Sequence, residues 1–229
     1  TEARLAVETL KNALANDDRE AVAAMFEYPF RRSYPVPDIE GAADLVARFD
    51  EVFGADLIQT IIDSDFDRDW SRVGSKGYML DSGLVWLHDS RKTIIAVNRK
   101  PLVDRLIRRH LIAFDKRRLH DSLRDHDRPV LEWLAGRYRI RVDKMPDGSY
   151  RYASWERRTS VLEPPELVVF GGALHRNGSG GNHHYTFSNG DYTYSVHVSV
   201  LGKDDDTGWL QVDKGEQTLL QVRVDSSLD

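Results

Sequence analysis

Apolar and polar residues alternate most regularly on either side of Asn189-Gly190, in the last quarter of the chain. An Asn-Gly pair between two alternating runs predicts a β-hairpin with a two-residue turn, in which Ser188 faces Asp191. Because successive strand residues point to opposite faces, this register separates an apolar face from a polar one. The apolar face carries Tyr185, Phe187, Tyr192, Tyr194, Val196, Val198 and Val200, and the polar face carries Thr186, Ser188, Thr193, Ser195, His197 and Ser199.

Other short β-type runs surround this hairpin from residue 129 onward. They predict strands over 137–142, 150–155, 167–170, 209–212 and 219–224, which with the hairpin makes seven. Turn residues such as Pro146-Asp-Gly148 separate them. Seven short strands are typical of a β-sandwich or a barrel, so we predict an all-β domain over 129–229.

The first hundred residues show a helical period before they show a strand period. Helices are predicted over 2–15, 18–26 and 42–53, and proline-rich 30–38 is predicted to be an edge hairpin or loop. Two β-rich runs, 78–88 and 93–98, then predict an antiparallel pair. The predicted fold class of the whole chain is therefore α+β.

In residues 1–98, predicted helices precede a predicted sheet. The glycine-punctuated run Trp70-Ser-Arg-Val-Gly-Ser-Lys-Gly77 leads into that sheet. This order resembles the NTF2-like superfamily, which includes SnoaL-like and ketosteroid-isomerase-like proteins. The resemblance implies helices packed over a curved antiparallel sheet that encloses a conical pocket. Members include isomerases, dehydratases and binding proteins, so the fold does not fix an activity.

The all-β part carries a second resemblance. Tyr150-Arg-Tyr-Ala-Ser-Trp155, Gly178-Ser-Gly-Gly-Asn-His183 and the Tyr/Asn-Gly/Tyr run that follows are similar to a domain found in uncharacterised exported bacterial proteins. That resemblance implies a periplasmic or secreted protein and no particular chemistry, and a cytoplasmic location stays open.

Between the two parts, residues 99–128 form a basic segment with helical apolar spacing, predicted to be a helical bridge and linker. This segment carries 10 basic and 5 acidic side chains, whereas residues 1–98 carry 11 basic and 18 acidic ones. The net charge of the chain is −5, which argues against nucleic acid as a partner. The basic band is explained more simply by complementarity with the acidic parts of the same chain.

The composition narrows the chemistry further. With 41% hydrophobic residues and no apolar run long enough to span a membrane, the chain is typical of a water-soluble globular protein. The absence of cysteine excludes disulfides, thiolate nucleophiles and cysteine metal ligands.

Three groups of residues are candidates for binding. Trp70, Tyr78, Trp86 and Asn98 are candidates to line a first-domain cavity, although aromatic residues there are also ordinary core residues. Arg137, Arg139 and Arg141 share one strand face, predicted to be either a solvated outer face or a docking surface for a carboxylate-rich partner or an anionic glycan. Asn182 and His183 follow a glycine-rich loop that is either a tight connection or a recognition loop for sugar hydroxyls or a peptide.

Two possible metal sites are incomplete. Asp63, Asp65 and Asp67 match the start of a calcium-binding EF-hand loop, but Arg68 and Gly74 stand where that loop needs glycine and glutamate. His184 and His197 are predicted to lie diagonally across the hairpin, but a zinc site would need a further ligand. No metal or other cofactor is therefore predicted.

No catalytic motif stands out, which favours an exported, non-enzymatic binding protein that recognises another macromolecule, either a protein or a glycan. The alternative is a small-molecule enzyme or binder that uses the NTF2-like cavity. A polar cavity with a perturbed ionisable residue would favour the alternative, and a cavity filled by aromatic side chains would oppose it. The oligomeric state is left open.

Overall fold

The computed structural model describes residues 1–178, 181–200 and 207–227. The chain divides into two compact units, Thr1–His110 and Leu111–Asp229, which we call the first and the second unit. In the described part of the chain, no helix is both long enough and apolar enough to cross a membrane.

Six helices precede the sheet of the first unit. They are α1 (Glu2–Ala15), α2 (Arg19–Ala23), α3 (Ala42–Ala47), α4 (Phe49–Val52), α5 (Ala55–Asp63) and α6 (Phe66–Asp69). The side chain of Thr1 caps α1 by accepting from the backbone N–H of Arg4, and Asp18 caps α2 by accepting from that of Ala21. The helix predicted over 2–15 is confirmed, and the one predicted over 18–26 is confirmed as the shorter α2.

The helix predicted over 42–53 is interrupted at Arg48, and the next helix, α5, was not predicted. Leu57 and Ile61 are fully buried one turn apart, which anchors α5 to the core. The helix was missed because Gly54 and the acidic run after it indicate a loop. That acidic run is structured: Asp63 ends α5, and Asp65 caps α6 by accepting from the N–H groups of Asp67 and Arg68.

A four-stranded antiparallel sheet follows, in the order β1-β2-β3-β4. Its strands are β1 (Trp70–Arg72), β2 (Tyr78–Leu80), β3 (Val85–Leu87) and β4 (Ile94–Val97). The predicted antiparallel pair is confirmed as β3 and β4. The run predicted as one strand over 78–88 forms two strands, because the chain turns between Leu80 and Val85, where Asp81 and Gly83 have positive φ angles.

Aromatic side chains fill much of the first unit's core. Phe26 makes edge contacts with Phe30 and Phe53, at ring-centroid distances of 5.1 and 5.9 Å, and Phe53 stacks on Phe49 at 4.8 Å. All four rings are buried. Helices and sheet therefore meet over a packed aromatic interior.

The predicted basic bridge contains a long helix, α7 (Leu102–Arg118), which begins directly after Pro101, and a 3-10 turn, Asp121–Leu123. The boundary between the units falls within α7. The predicted domain limits at 98/99 and 128/129 stay predictions.

The second unit is a closed eight-stranded antiparallel barrel in which each strand pairs with its neighbours in sequence and the last strand pairs with the first. Its strands are β5 (Arg128–Ala135), β6 (Tyr138–Lys144), β7 (Tyr150–Glu156), β8 (Leu167–Arg176), β9 (His183–Asn189), β10 (Tyr192–Val198), β11 (Gly208–Lys214) and β12 (Gln217–Ser227). Of the two predicted architectures, the barrel is the one observed. The count of seven strands was one too low, because Pro129 obscured β5.

The hairpin of β9 and β10 confirms the predicted faces but corrects the predicted register. Asn189 pairs with Tyr192, so Gly190 and Asp191 form the turn instead of Asn189 and Gly190. Gly190 has a φ of 58° at the first central position, as a type II′ turn requires. Because the register differs from the predicted one by two residues, every side chain keeps its face. Tyr185, Phe187 and Val196 are buried in the barrel core.

The outer face of β6 and β7 is covered rather than solvated. Leu119 and Leu123 pack against Trp155, which is fully buried outside the barrel core proper. The residues that follow α7 thus form a second layer on this side of the barrel.

Candidate functional site

Four aromatic rings form a row across the outer face of β8, β9, β10 and β11. His175 stacks on His184 at a centroid distance of 5.0 Å, His184 on His197 at 4.9 Å, and His197 on Trp209 at 4.3 Å. The ring planes are within 17°, 20° and 8° of parallel. We call these four residues the ring row; it spans three strand spacings, or about 14 Å.

The barrel register produces this row. His175 is directly opposite His184, His184 opposite His197, and His197 opposite Trp209. Side chains on directly opposed residues of neighbouring strands lie close enough for rings to stack. Since the rings cover one another's faces, their edges are what the row presents outward.

Two side-chain hydrogen bonds orient the histidines. Nδ1 of His184 lies 3.0 Å from the amide oxygen of Asn177, and Nε2 of His175 lies 2.9 Å from the hydroxyl of Thr186. An amide oxygen only accepts, so Nδ1 of His184 carries the proton and its Nε2 is left as an acceptor.

Burial and mutual repulsion lower the pKa of the two inner histidines of the row, His184 and His197. Burial lowers the pKa of His184, and the nearby His175 and His183 lower it further. Burial also lowers the pKa of His197, and His184 adds to that effect. Both pKa values therefore lie below the ordinary 6.5, and both rings are uncharged at neutral pH.

Two rows of polar side chains run beside the ring row on the same face. The register aligns Thr186, Ser195, Gln211 and Gln221 in one row and Ser188, Thr193, Asp213 and Thr218 in the next. Asp213 accepts hydrogen bonds from Thr218 at 2.6 Å and from Gln211 at 2.9 Å. The face thus combines ring edges with hydroxyl and amide groups.

Sequence reasoning found half of the ring row. It placed His184 and His197 on one face but as diagonal neighbours, whereas they are directly opposed. His175 and Trp209 were not predicted as members, because the local sequence pattern does not show in which register β8 and β11 pair with the hairpin. Trp209 occupies an outward position of the strand predicted over 209–212, whereas His175 lies beyond the strand predicted over 167–170.

The predicted loop residues Asn182 and His183 have structural contacts. The side-chain oxygen of Asn182 accepts from the backbone N–H of Val200 at 2.7 Å, and its carbonyl accepts from Asn177 at 2.8 Å. Nδ1 of His183 lies 2.8 Å from the carbonyl oxygen of Gly181, and its ring contacts Tyr185 edge-on. Residues 179 and 180 of this loop lie outside the described residues.

The three arginines predicted to form one row occupy three different settings. Arg141 is fully buried, which corrects its predicted place on a solvated or docking face. Arg139 lies 3.3 Å from Glu132, and Arg137 lies over the ring of Tyr138 at 5.0 Å. The cause is the layer formed by α7 and the residues after it, which covers this strand face.

Arg141 is the centre of a buried charge network. It pairs with both carboxylate oxygens of Asp115 at 2.9 and 2.5 Å, with Glu132 at 3.1 Å and with Asp143 at 2.8 Å. Asp143 also pairs with the buried Arg151 at 2.7 Å. Burial alone would raise the pKa of Asp115, but bonds from His126 and Arg141 hold it at about 2.

The four residues predicted to line a cavity differ in their individual contacts. Trp70 is buried and donates its indole N–H to Ser64, while Tyr78 packs against Phe66 at 5.5 Å. Asn98 donates to the carbonyl of Gly83 at 2.6 Å and also lines a cleft of about 230 Å³ near the end of β4, to which Trp70, Tyr78 and Trp86 do not contribute.

Within the described part of the chain, no group of three or more His, Asp or Glu side chains is arranged to hold a metal ion. The acidic run supports this, since Asp67 pairs with Arg4 and Asp69 with Arg68. Parallel stacking of His184 and His197 likewise keeps their rings side by side instead of converging on one point.

Comparison of the chain with protein-family models, with curated proteins and with solved structures found no match. The class that the structure defines is therefore an α+β first unit with a four-stranded antiparallel sheet, followed by a closed eight-stranded barrel.

Proposed function

We propose that this protein is a non-enzymatic binding protein that recognises a glycan chain through the outer face of its barrel. The observation that carries the proposal is the ring row. Large rings outside a barrel core contribute nothing to that core, and half-buried aromatic residues are enriched where proteins meet their partners.

The chemistry of the face favours a hydroxyl-rich partner. Both His184 and His197 are neutral at pH 7, and the neighbouring rows offer hydroxyl and amide groups that both donate and accept hydrogen bonds. Sugar hydroxyls also donate and accept. A linear array about 14 Å long suits an extended chain better than a single small molecule.

The interior of the first unit argues against the alternative of an enzyme with a conical cavity. Phe26, Phe49, Phe53 and Trp70 are buried there among aliphatic side chains. Aromatic rings that pack against one another therefore occupy interior space that an NTF2-like pocket would use for its substrate.

The proposal also includes the family of the first unit and the location of the protein. The order of helices and antiparallel strands supports an NTF2-like relation for the first unit. An exported bacterial location rests on the resemblance of the second unit to domains of exported proteins. Export also agrees with a polysaccharide ligand outside the cytoplasm.

The test is co-sedimentation of the full chain with a panel of insoluble polysaccharides: cellulose, chitin, xylan and peptidoglycan. We expect retention on at least one of them. The double substitution His184→Ala/Trp209→Ala should reduce retention at least tenfold, because it removes an inner and an end ring of the row.

Leu162→Ala provides the matched control, since Leu162 is exposed on the same unit but is not part of the row. Retention on no polysaccharide, or equal retention of the double variant and the control, would refute the proposal. Capture of a protein that requires the same two residues would replace the glycan with a protein partner.

A further inference from the structure

We propose that the first unit binds a small hydroxylated carboxylate in the cleft between Phe30–Ser33, the end of β4 and the first two turns of α7. This site is separate from the ring row, and its ligand is a small molecule, not a polymer. Its residues all belong to the first unit.

The cleft is strongly cationic. Its volume is about 230 Å³, below the roughly 300–1,000 Å³ of pockets that take drug-sized ligands, so its ligand is small. It is lined by two carboxylates, those of Glu51 and Asp104, and by five basic side chains. The basic residues are Arg31, Arg32, Arg99, Lys100 and Arg108.

Arg32 fixes both carboxylates in place. Its side chain is only 6% exposed and donates to the carboxylate of Glu51 and, at 2.5 Å, to Oδ1 of Asp104. Arg48 adds a second guanidinium to Glu51 at 3.0 Å. Because both acidic groups are already held by arginine, the cleft keeps an excess of positive charge.

Two buried atoms of residues that line this cleft, the acceptor Oδ2 of Asp104 and the donor Nε of Arg108, have no hydrogen-bond partner among the described residues. The remaining groups of Arg108 are occupied, with one Nη donating to the carbonyl of Ser33 at 2.8 Å and the other 3.4 Å from Oδ1 of Asp104. Asp104 is 3% exposed overall. Buried polar atoms are bonded in the great majority of cases, so this donor and acceptor call for a partner.

A hydroxyl group has the chemistry to bond both kinds of atom, because it donates to an acceptor such as Oδ2 of Asp104 and accepts from a donor such as Nε of Arg108. A carboxylate on the same molecule would meet the guanidinium groups at the rim, which bind carboxylates bidentately. At the rim, Arg99 lies 2.6 Å from Asp56 and Arg31 lies 2.8 Å from Asp38. Both guanidinium groups are solvent-exposed, which weakens these pairs, so a ligand carboxylate can exchange with Asp56 and Asp38.

The experiment is isothermal titration calorimetry of the full chain with sodium D-gluconate. D-glucose supplies hydroxyls without a carboxylate, and succinate supplies carboxylates without a hydroxyl. We expect gluconate to bind, both comparison compounds to bind at least tenfold more weakly, and the gluconate affinity to fall with added salt.

Two variants test the cleft itself. Arg108→Lys keeps the charge but removes Nε, and should weaken gluconate binding at least tenfold. Arg99→Gln leaves the buried ion pairs intact, and should weaken binding several-fold and reduce its salt dependence. Arg91→Gln, which removes the same charge at an exposed position outside the cleft, should bind as the parent chain does.

Three results would overturn the inference: no binding of gluconate, equal binding of glucose or succinate, or unchanged affinity in both cleft variants. Any of these would mean that the cleft does not bind a hydroxylated carboxylate. Loss of gluconate binding would leave polysaccharide retention by the ring row untouched, so failure of this inference is distinguishable from failure of the glycan proposal.

Discussion

At the scale of single residues, Arg141 is the side chain whose environment departs furthest from its sequence context. Its strand reads Arg137-Tyr-Arg-Ile-Arg-Val142, and alternation places Arg139 and Arg141 on one outward face. Arg141 is buried because Asp115, on α7, lies over that face. Three carboxylates then surround one guanidinium, which compensates the large cost of removing these charges from water.

Replacing Arg141 with methionine should destabilise the protein strongly. The substitution leaves Asp115 and Glu132 buried without their main cationic partner, and breaking a buried pair costs about 3–5 kcal/mol. Urea unfolding followed by circular dichroism measures this loss.

Arg139→Met is the matched control, since Arg139 is more exposed and makes one longer contact, with Glu132. It should lower the free energy of unfolding by clearly less than Arg141→Met does, because Glu132 keeps its ion pair with Arg141. Equal losses for the two variants would contradict the assigned role of the buried network.

The ring row should make stability depend on pH in the acid range. Since the folded pKa values of His184 and His197 lie below the ordinary 6.5, the unfolded chain takes up protons first as the pH falls. The row's effect on the free energy of unfolding should be absent above pH 6.5. It should become destabilising as the pH falls through 6.5, and level off below the folded pKa values.

Proton NMR titration of the histidine ring protons measures these values directly. His175→Ala should raise the pKa of His184, because it removes a neighbouring charge that lowers that pKa. His110→Ala, which changes a histidine outside the row, should leave it unaltered. A pKa of His184 at or above 6.5 in the parent chain would contradict the neutral state assigned to this ring.

At the scale of elements, β8 is the strand on which closure of the barrel depends. Its first part pairs with β7 and its second part with β9, and the change occurs at Gly171 and Gly172. Glycine at such a corner permits a sharp bend and close approach of another chain segment. Here the ring of Phe187 lies where a Cβ on Gly172 would be, with Cε1 at 2.2 Å.

Gly172→Ala should therefore destabilise the barrel by about 1–3 kcal/mol, as overpacking of a core usually does. Thermal and urea unfolding measure the loss. The double-mutant cycle with Phe187→Leu is the control, because the smaller side chain leaves space for the new methyl group.

In the Phe187→Leu background, the cost of Gly172→Ala should drop by about half or more, which is the coupling expected of residues in contact. Additive losses would mean that the alanine acts through backbone conformation and not through the ring.

Single elements also differ in how much of their structure can be predicted from the local sequence. Period-two alternation predicted which faces of β9 and β10 are buried, because strand geometry fixes this locally. The exact turn depended on whether Asn189 or Asp191 joins Gly190, and both types suit turns. The ring row needed the registers of four strands, which long-range pairing determines, so His175 and Trp209 were not predicted as its members.

At the scale of the whole molecule, the last part of the predicted bridge and linker over 99–128, from His120 onward, has the composition of an exposed connection. Its sequence is polar, but Leu123 and His126 are buried. Arg151 donates to the carbonyl of Leu123 at 2.6 Å and to that of Asp125 at 3.1 Å. Hydrogen-bonded, buried backbone resists proteases, so this segment should be protected.

The second unit should consequently fold on its own only when these residues are included. We expect a fragment of residues 111–229 to unfold cooperatively. A fragment of residues 129–229 should be much less stable and should bind a hydrophobic dye, because it exposes Trp155 and leaves Arg141 without Asp115. Circular dichroism melting and dye fluorescence compare the two.

The Asp115→Asn variant of the longer fragment separates loss of the charge pair from loss of the apolar cover, and should lie between the two fragments in stability. Equal melting temperatures for the two fragments would show that the barrel does not depend on this layer.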